Sequence, residues 1–576
     1  SIKREKERGY MKKRVLSILL AATFTVSMFA GATIVSAAEN EATEETASTG
    51  GFDITVNLAS EPQTMDPALN TASDGSNMAN HLFEGLMKWE DSGVEVNGSD
   101  GTANSAQLVP GQAESYEKTE NEDGTVTYTF KLRDGIKWSD GKDVTAGDFE
   151  YSWKRLVDPA TAADYSYMLD CVVNANEIIA GEKDPSELAV KAVDDKTFEV
   201  TLVNDLPYFE ELCAFPAMMP VRQDIIEEAG DNWTFDVSTY ISNGAYKMKE
   251  WTHNSQIVVE KNENYYDYEK LGPDTITFKL MDNQNAMLSG FNSGEIDFIE
   301  DVPQAEIANL IASGDMKIVD YIGTYYVCFQ NQKAPFDDAR VRKAFSLAID
   351  RTYIVNQVTQ SGQVEAGGYV PAGVYDAEGA TGDDFRTVGG DYYKPTDADY
   401  EANCEEARAL LAEAGYPDGE GFPVVEYLYN TSDAHKAVAE ALQYMWEEEL
   451  GVKVTLNNQE WAAFLQTRKD GDYSIARNGW IADYNDPISF LDMWLTGGGN
   501  NDAQYSNEEY DSLIKEAKTT TDVKERMELL HKAEDKIIGE DNALAPLYFY
   551  TQKYMLADGI EGVYYCPLGY FFFGYT

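Results

Sequence analysis

The sequence predicts an α/β fold with parallel strands. Three adjoining segments carry this prediction. Residues 424–429 form an apolar run typical of a buried strand, and a helical stripe follows from Val438 through Leu442 to Trp446, ended by Gly451. A second strand then places Val454 and its alternate neighbours on one face. A strand, a helix and a strand at this spacing indicate a βαβ unit, whose two strands lie parallel in one sheet.

Other elements are predicted along the rest of the chain. Alternating apolar residues indicate strands at 54–58 and at 126–132. An apolar stripe after Asp337 or Asp338, the candidate N-cap, indicates a helix through Ile349. Another stripe from Ala407 to Ala414 predicts a helix that Gly415 ends. The chain shows no internal repeat, so we expect domains that are built from interleaved segments.

The N-terminus has the features of an export signal. Basic residues at 12–14 precede an apolar stretch at 15–30, and Val35-Ser36-Ala37 fits a cleavage site. Residues 1–38 are therefore predicted to be a signal peptide with upstream residues, Met11 being the expected start, and 39–51 a disordered acidic leader. A membrane anchor is the alternative, although the apolar stretch is short for one. The signal region contains no cysteine, so we expect an exported protein without a lipid anchor.

Charge and cysteine content exclude several kinds of partner. The chain has a formal net charge of −55, and such a surface repels nucleic acid and anionic lipid. Its five cysteines are scattered and lack the spacing of metal ligands, so we expect buried free thiols and no metal site.

Motifs for catalysis are missing from the sequence. None of the four histidines belongs to an H-E-x-x-H pair, and there is no G-x-S-x-G elbow, phosphate-binding loop or dinucleotide fingerprint. We therefore expect a protein that is not an enzyme and needs no cofactor. An exported hydrolase is the alternative, because the chain has 100 acidic residues and an acid/base pair of carboxylates would serve such an enzyme.

One segment combines a carboxylate with aromatic residues. In Trp480–Pro487, Asp483 lies between Trp480 and Tyr484, and an Asx-Pro turn follows. A carboxylate beside aromatic rings binds an ammonium group through a charge-assisted hydrogen bond and a cation–π contact. The alternative is a turn in which the aspartate caps its own backbone, and the segment alone does not separate the two.

Ordered motifs give the chain a family resemblance. It resembles the oligopeptide-binding proteins, extracellular receptors of ATP-driven peptide importers that belong to solute-binding family 5. The motifs that carry the resemblance cover nearly all of the chain after residue 51 and are Glu61–Pro67, Leu82–Leu86, Pro110–Ser115, Phe130–Gly141, Val144–Phe149, Ser242–Tyr246, Pro335–Arg342 and Arg477–Pro487.

The resemblance implies a periplasmic-binding-protein-like, two-lobed clamp of the large three-domain type. Lobe I is expected at 51–87, 221–321 and 546–576, lobe II, a support domain, at 88–220, and lobe III at 322–545. A hinge closes lobes I and III on the ligand. In the peptide binders of the family, an extended peptide adds a strand between the lobes, and its side chains fall into wet pockets. The implied partners are short peptides and the membrane permease subunits of an ABC importer, with the receptor acting as a monomer.

Site residues follow from the resemblance one at a time. Asp483 matches the aspartate that binds the α-amino group of the peptide, and Arg477 and His435 match groups that meet its terminal carboxylate. Tyr165 matches a tyrosine of the cleft. The other positions that match the lining of the pocket are Asn430, Trp461, Arg468 and Trp480.

Three positions depart from the family pattern. Cys328 stands where many relatives have a glutamate, Thr359 replaces a lysine, and Lys469 replaces a pocket histidine. These changes concern the preferred peptide length and side chains. Because a fold does not fix its ligand, another solute such as a nickel chelate, haem, an opine or an oligosaccharide is the alternative.

Overall fold

The structure is a computed structural model that describes residues 51–576. The predicted signal peptide at 1–38 and the leader up to residue 50 lie outside the described residues. Within the described part, no helix has both the length and the apolar composition needed to cross a bilayer.

Strands form three sheets within residues 51–576. An eleven-stranded sheet has the order β15-β14-β16-β12-β17-β11-β1-β10-β9-β8 with β13 on β17, and four-stranded sheets have the orders β19-β18-β3-β2 and β4-β5-β7-β6. The strands are β1 (Asp53–Asn57), β2 (Met87–Glu95), β3 (Asn104–Pro110), β4 (Ala113–Glu120), β5 (Val126–Leu132), β6 (Val190–Asp194), β7 (Thr197–Leu202), β8 (Tyr246–Thr252), β9 (Gln256–Lys261), β10 (Thr275–Lys279), β11 (Phe298–Ile299), β12 (Lys317–Phe329), β13 (Val364–Glu365), β14 (Val425–Asn430), β15 (Val454–Gln459), β16 (Ile475–Ile481), β17 (Leu544–Leu556), β18 (Tyr564–Cys566) and β19 (Tyr570–Phe572).

Helices cover the faces of the sheets, as is usual in α/β proteins. The longer ones are α1 (Ser73–Leu82), α2 (Ala146–Val157), α3 (Gln284–Ser293), α4 (Gln304–Ser313), α5 (Ala339–Leu347), α6 (Tyr400–Glu413), α7 (Asp433–Leu450), α8 (Trp461–Lys469), α9 (Glu508–Thr519) and α10 (Val523–Glu534). Shorter helical segments are Ala175–Ile179, Phe209–Leu212, Gln223–Ala229, Arg351–Tyr353, Phe385–Gly389 and Ile488–Leu491.

The predicted βαβ unit is present. β14 and β15 pair in parallel through their full lengths, and α7 connects them. Ser432 caps the N-terminus of α7, and Gly451 ends the helix in the left-handed conformation that glycine adopts without strain. Val452 precedes the second strand, which begins at Val454. The prediction of parallel strands is therefore confirmed, with a boundary shift of two residues.

Three further predictions are confirmed. Asp338 is the N-cap of α5, since its side chain accepts a hydrogen bond from the Arg340 N–H. All five cysteines are buried free thiols. The strand predicted at 126–132 is β5 with those same bounds.

Two long antiparallel strands connect the halves of the large sheet. β12 and β17 pair with each other, β12 continues to β16, and β17 continues to β11. Their register is interrupted between Asp320 and Thr324. Tyr321 lies within this interruption and lines the space beside β16.

Candidate functional site

A cavity of about 640 Å³ lies beside the C-terminal end of β16. This volume is within the range of small-molecule sites in proteins. Six of the eight predicted site residues line the cavity, and they are Tyr165, Trp461, Arg468, Arg477, Trp480 and Asp483.

Asp483 lies where β16 has just ended, and it is buried with 7% of its surface exposed. The Tyr165 hydroxyl donates a hydrogen bond to Asp483 Oδ1 at 2.9 Å, and the Ser489 hydroxyl donates one to Oδ2 at 3.2 Å. The same Ser489 oxygen accepts a hydrogen bond from the Asp483 backbone N–H at 2.8 Å. The serine therefore fixes both the backbone and the carboxylate of Asp483.

No cation neutralises Asp483 within the described part of the chain. Its carboxylate contacts hydroxyl groups, and the nearby charge of Asp492 is of the same sign. Burial raises the pKa of Asp483 well above its ordinary value, and Asp492 adds to the rise, while Tyr165 and Ser489 oppose it. A buried carboxylate of this kind is stabilised by any positive group that enters the cavity.

The aromatic surroundings of Asp483 differ from those predicted. Trp480 does line the cavity, and its indole N–H donates to the Ser489 carbonyl at 2.8 Å. Tyr484 instead stacks on Tyr208 with ring centroids 4.3 Å apart, and it does not line the cavity. The expectation that Tyr484 and Trp480 flank Asp483 was therefore wrong for Tyr484, because its ring packs against a distant segment.

The turn-capping role belongs to Asp486. Its Oδ1 accepts a hydrogen bond from the Ile488 N–H at 2.9 Å, and its carboxylate forms a buried bidentate ion pair with Arg526. Asp483 consequently does not cap this turn, which was the alternative to binding an ammonium group. Its contact with the local backbone runs through Ser489.

Arg477 lies on β16, six residues before Asp483, and also lines the cavity. Its guanidinium lies over the ring of Tyr325, at 5.2 Å from the centroid. The polar contacts of its terminal nitrogens are long, 3.4 Å to Asn430 Oδ1 and 3.4 Å to the Tyr550 hydroxyl. Its buried Nε has no hydrogen-bond partner among the described residues, and no carboxylate there pairs with it. Such a guanidinium retains donors for an anion.

Asn430 and His435 lie behind Arg477 and do not line the cavity. Asn430 contacts Arg477, and the His435 Nδ1 is 3.2 Å from the Tyr325 hydroxyl. Burial lowers the pKa of His435 well below its ordinary value, and the positive charges of Arg477 and Lys553 lower it further. His435 is thus neutral in this environment, and its predicted contact with peptide carboxylates stays a prediction.

Trp461 and Arg468 lie at opposite ends of α8. The indole N–H of Trp461 donates to Asp74 Oδ2 at 3.0 Å. Arg468 donates from Nε to Asp502 Oδ2 at 2.6 Å and from Nη1 to the Arg477 carbonyl at 3.3 Å. Arg468 is therefore a paired cation that supports the wall next to Arg477.

Several lining residues that were not predicted as site residues come from strands of the sheets or from the loops between them. Tyr321 comes from the register break of β12, Tyr550 from β17, Leu568 from the loop before β19, and Tyr570 from β19 itself. Gly479 makes room for Tyr550, because a Cβ at this glycine would lie 2.3 Å from the tyrosine hydroxyl. The sequence signal for these residues is weak, since tyrosines are abundant and mostly buried elsewhere in the fold.

One edge of β16 is open along the cavity. β12 pairs with β16 from Ile475 to Ile481, but on the other side β14 pairs only with Ile475 and Ala476. Residues Arg477–Ile481 therefore have an unpaired edge, and all five line the cavity. At this edge the Arg477 carbonyl accepts a hydrogen bond from Arg468 Nη1 and the Gly479 N–H donates to Asn478 Oδ1, so side chains hold backbone groups with which an added strand would pair.

Together, a large sheet whose parts are joined by two long strands and a cavity with charged groups beside it define the class of two-lobed solute-binding proteins. The comparisons agree. Residues 107–502 match the family model described as bacterial extracellular solute-binding proteins, family 5 middle. The periplasmic oligopeptide-binding protein OppA of Salmonella typhimurium is 39% identical over 511 residues, which are 88% of each chain. This chain belongs to family 5 of the bacterial extracellular solute-binding proteins.

Solved structures of relatives allow a comparison with a peptide complex and with an unliganded open form. The chain superimposes on Haemophilus influenzae OppA in complex with the peptide RPPGFSPFR with a TM-score of 0.81, at 33% identity and with coverage of 91% and 99% of the two chains. For the unliganded open form of the murein tripeptide binding protein MppA, the TM-score is 0.57 at 32% identity and coverage of 90% and 95%. Identity and coverage are nearly equal for the two structures. The higher TM-score therefore shows that the arrangement of this chain is closer to that of the peptide complex than to that of the open form.

Proposed function

We propose that this protein is an exported receptor that captures short peptides in the cavity beside β16. It acts outside the cytoplasmic membrane and delivers the peptide to the permease subunits of an ABC importer. The observation that carries this proposal is a pair of groups in one cavity, the Asp483 carboxyl and the Arg477 guanidinium, neither of which has an oppositely charged partner among the described residues. A peptide zwitterion supplies the complementary ammonium and carboxylate groups.

The spacing of the two charges suits a short peptide. Asp483 comes six positions after Arg477, which is about 20 Å if that segment is extended. An extended peptide covers roughly 3.3–3.6 Å per residue, so three to five residues fit this span once side chains reach inward. The terminal groups then meet Asp483 and Arg477.

The open edge of β16 explains how one receptor accepts many sequences. A peptide that runs antiparallel to β16 places its amino end at Asp483 and its backbone against Arg477–Ile481. Hydrogen bonds to the peptide backbone do not depend on the identity of its side chains. Affinity therefore comes from the backbone and the two termini.

Closure of the predicted lobes encloses the ligand, with lobe I at 51–87, 221–321 and 546–576, lobe II at 88–220 and lobe III at 322–545. Tyr165 of lobe II, Tyr570 of lobe I and Asp483 of lobe III all line one cavity. The ligand stabilises the closed arrangement because it contacts groups from every lobe. In this proposal the protein is a binding protein, not an enzyme, and it acts as a monomer.

Two measurements test the proposal. Native mass spectrometry of the purified protein should detect bound peptides, which closed receptors retain. A thermal-shift panel should raise the melting temperature with tri- to pentapeptides and not with sugars, haem or nickel. Stabilisation by one of those other solutes, with no effect of peptides, would refute the assignment.

A further inference from the structure

Helix α8 is held only lightly to its own side of the cavity. Of its nine residues, Phe464 alone is buried. The guanidinium of Arg468 lies 4.9 Å from the Phe464 ring and pairs with Asp502. Trp461 and Leu465 are partly buried against the core, and since most of a surface helix's stability comes from burying one face, contacts at the two ends of this helix add to a small buried surface.

The N-terminal end of α8 is bound across the cavity. Trp461 Nε1 donates to the Asp74 carboxylate at 3.0 Å, and Asp74 lies in the first turn of α1. The two residues are 387 positions apart in the sequence, and α1 belongs to predicted lobe I whereas α8 belongs to predicted lobe III.

The C-terminal end of α8 is bound across the cavity to a different segment. Lys469 Nζ donates to both carboxylate oxygens of Asp164, at 2.7 and 2.6 Å. Asp164 precedes Tyr165, which holds Asp483, so two consecutive residues of predicted lobe II contact predicted lobe III. The backbone of Asp164 also packs on Gly499, where a Cβ would lie 2.5 Å from the Asp164 carbonyl oxygen.

We propose that α8 is an interlobe clasp, formed by the pairs Trp461–Asp74 and Lys469–Asp164, that sets the affinity of the receptor for all of its ligands by the same factor. This inference rests on the proposed function. Both pairs join protein groups to protein groups, so their free energy belongs to the closed arrangement and not to any one peptide. Whatever stabilises the closed state raises the apparent affinity of every ligand that requires it.

The expected effects are modest and uniform. Lys469 and Asp164 have side chains that are 46% and 19% exposed, so their ion pair is screened by solvent. Removing it with Lys469→Met, which retains the apolar stem, should weaken binding about two- to fivefold. Asp74→Ala should act by a similar factor, and the double variant by about the product, because the two ends are separate.

The experiment is isothermal titration calorimetry of each variant with three peptides of different charge, Ala-Ala-Ala, Lys-Ala-Lys and Glu-Ala-Glu. A clasp predicts the same fold-change for all three peptides. A change confined to the charged peptides would instead make Lys469 or Asp74 part of a side-chain pocket, and this result, or no change at all, would overturn the proposal.

Two further variants complete the design. The charge exchange Lys469→Asp with Asp164→Lys should restore binding to within about twofold of the parent, whereas Lys469→Asp alone should not. Lys343→Met removes an exposed ion pair with Glu406 (2.7 Å) that does not cross the cavity, and should leave affinity unchanged. Failure of the exchange to restore binding contradicts the clasp.

Small-angle scattering separates failure of the clasp from failure of the proposed function. Measured on ligand-depleted protein, the radius of gyration should be larger for the double variant than for Lys343→Met, because the open arrangement is more populated. This result does not depend on peptides as ligands. Identical radii would overturn the clasp even if peptides bind, and different radii would support it even if they do not.

Discussion

Tyr165 and Asp483, 318 positions apart in the sequence, share a hydrogen bond of 2.9 Å inside the cavity. Each is buried, with 4% and 7% of its surface exposed. The hydroxyl supplies a dipole, not a charge, so it orients the carboxylate without neutralising it. Asp483 is thereby held in place, and no cation of the described residues competes with a positively charged ligand for its carboxyl group.

Asp483→Asn should abolish most of the affinity for free peptides. Asparagine is nearly isosteric with aspartate, and its amide oxygen can still accept the hydrogen bond from the Tyr165 hydroxyl, so we expect the fold to survive. Loss of a charge-assisted hydrogen bond to the α-ammonium group corresponds to about 1.5–3 kcal/mol, or a roughly 10- to 150-fold higher Kd. Calorimetry with a tripeptide and a pentapeptide measures this change in Kd.

The control for Asp483→Asn changes the peptide instead of the protein. An N-acetylated tripeptide has no ammonium group, so it should bind the parent protein weakly and should lose little more in the variant. If free and acetylated peptides respond equally to the substitution, Asp483 does not bind the amino terminus.

Peptide binding should release a proton. Burial raises the pKa of Asp483 well above its ordinary value, whereas a bound ammonium group lowers it again. The complex therefore holds fewer protons than the empty protein, and affinity should increase as the pH rises above about 4 toward the raised pKa. Titrations in buffers of different ionisation enthalpy measure the number of protons released.

Asp483→Asn is also the control for proton release. This variant lacks the titrating group, so its observed binding enthalpy should no longer depend on the buffer through this site. Proton uptake in the parent protein, or equal release in parent and variant, would contradict the assignment to Asp483.

The sequence predicts local structure better than it predicts the site. The unit from β14 through α7 to β15 follows from periodicity within about 35 residues, and the helix ends at Gly451 as expected. Tyr484 shows the limit, since adjacency in the sequence suggested a wall of the Asp483 pocket. Its ring instead stacks on Tyr208, a partner that no local pattern could reveal.

The family resemblance predicted residues that line the same cavity. Asp483, Arg477 and Tyr165 lie together, although spacing alone gives no reason for Tyr165 to meet Asp483. Tyr321 and Tyr570 were missed because their positions depend on a break in register and on the return of the C-terminal strand. Such contacts are fixed by the whole topology.

Arg477→Met should weaken the binding of peptides with a free carboxylate terminus. Because the parent guanidinium has only long contacts to Asn430 and Tyr550, its donors are available to an anion. We expect a roughly 10- to 100-fold higher Kd from the loss of this charged contact. Competition assays with tripeptides measure it, and a C-terminally amidated tripeptide should be nearly insensitive. An equal loss for both ligands would contradict a carboxylate site.

Stability should depend strongly on the ion pair of Asp486 and Arg526, which holds the segment after Asp483. Both side chains are about 5% exposed, and two hydrogen bonds of 2.7 and 2.8 Å join them. Arg526→Met leaves the Asp486 carboxylate buried without its partner, which should lower the free energy of unfolding by about 3–5 kcal/mol. Urea denaturation followed by tryptophan fluorescence measures this change.

The matched control is Arg340→Met. Arg340 pairs with Asp338 at 2.6 Å, but the two side chains are 49% and 31% exposed, so the loss should be below about 1 kcal/mol. A second variant, Arg526→Met with Asp486→Asn, removes the buried charge and should recover part of the stability. Equal shifts of the urea midpoint in Arg526→Met and Arg340→Met would contradict this prediction, because burial would then not determine the contribution of the Asp486–Arg526 pair. The segment that positions Asp483 would in that case be held by other contacts, such as the stacking of Tyr484 on Tyr208.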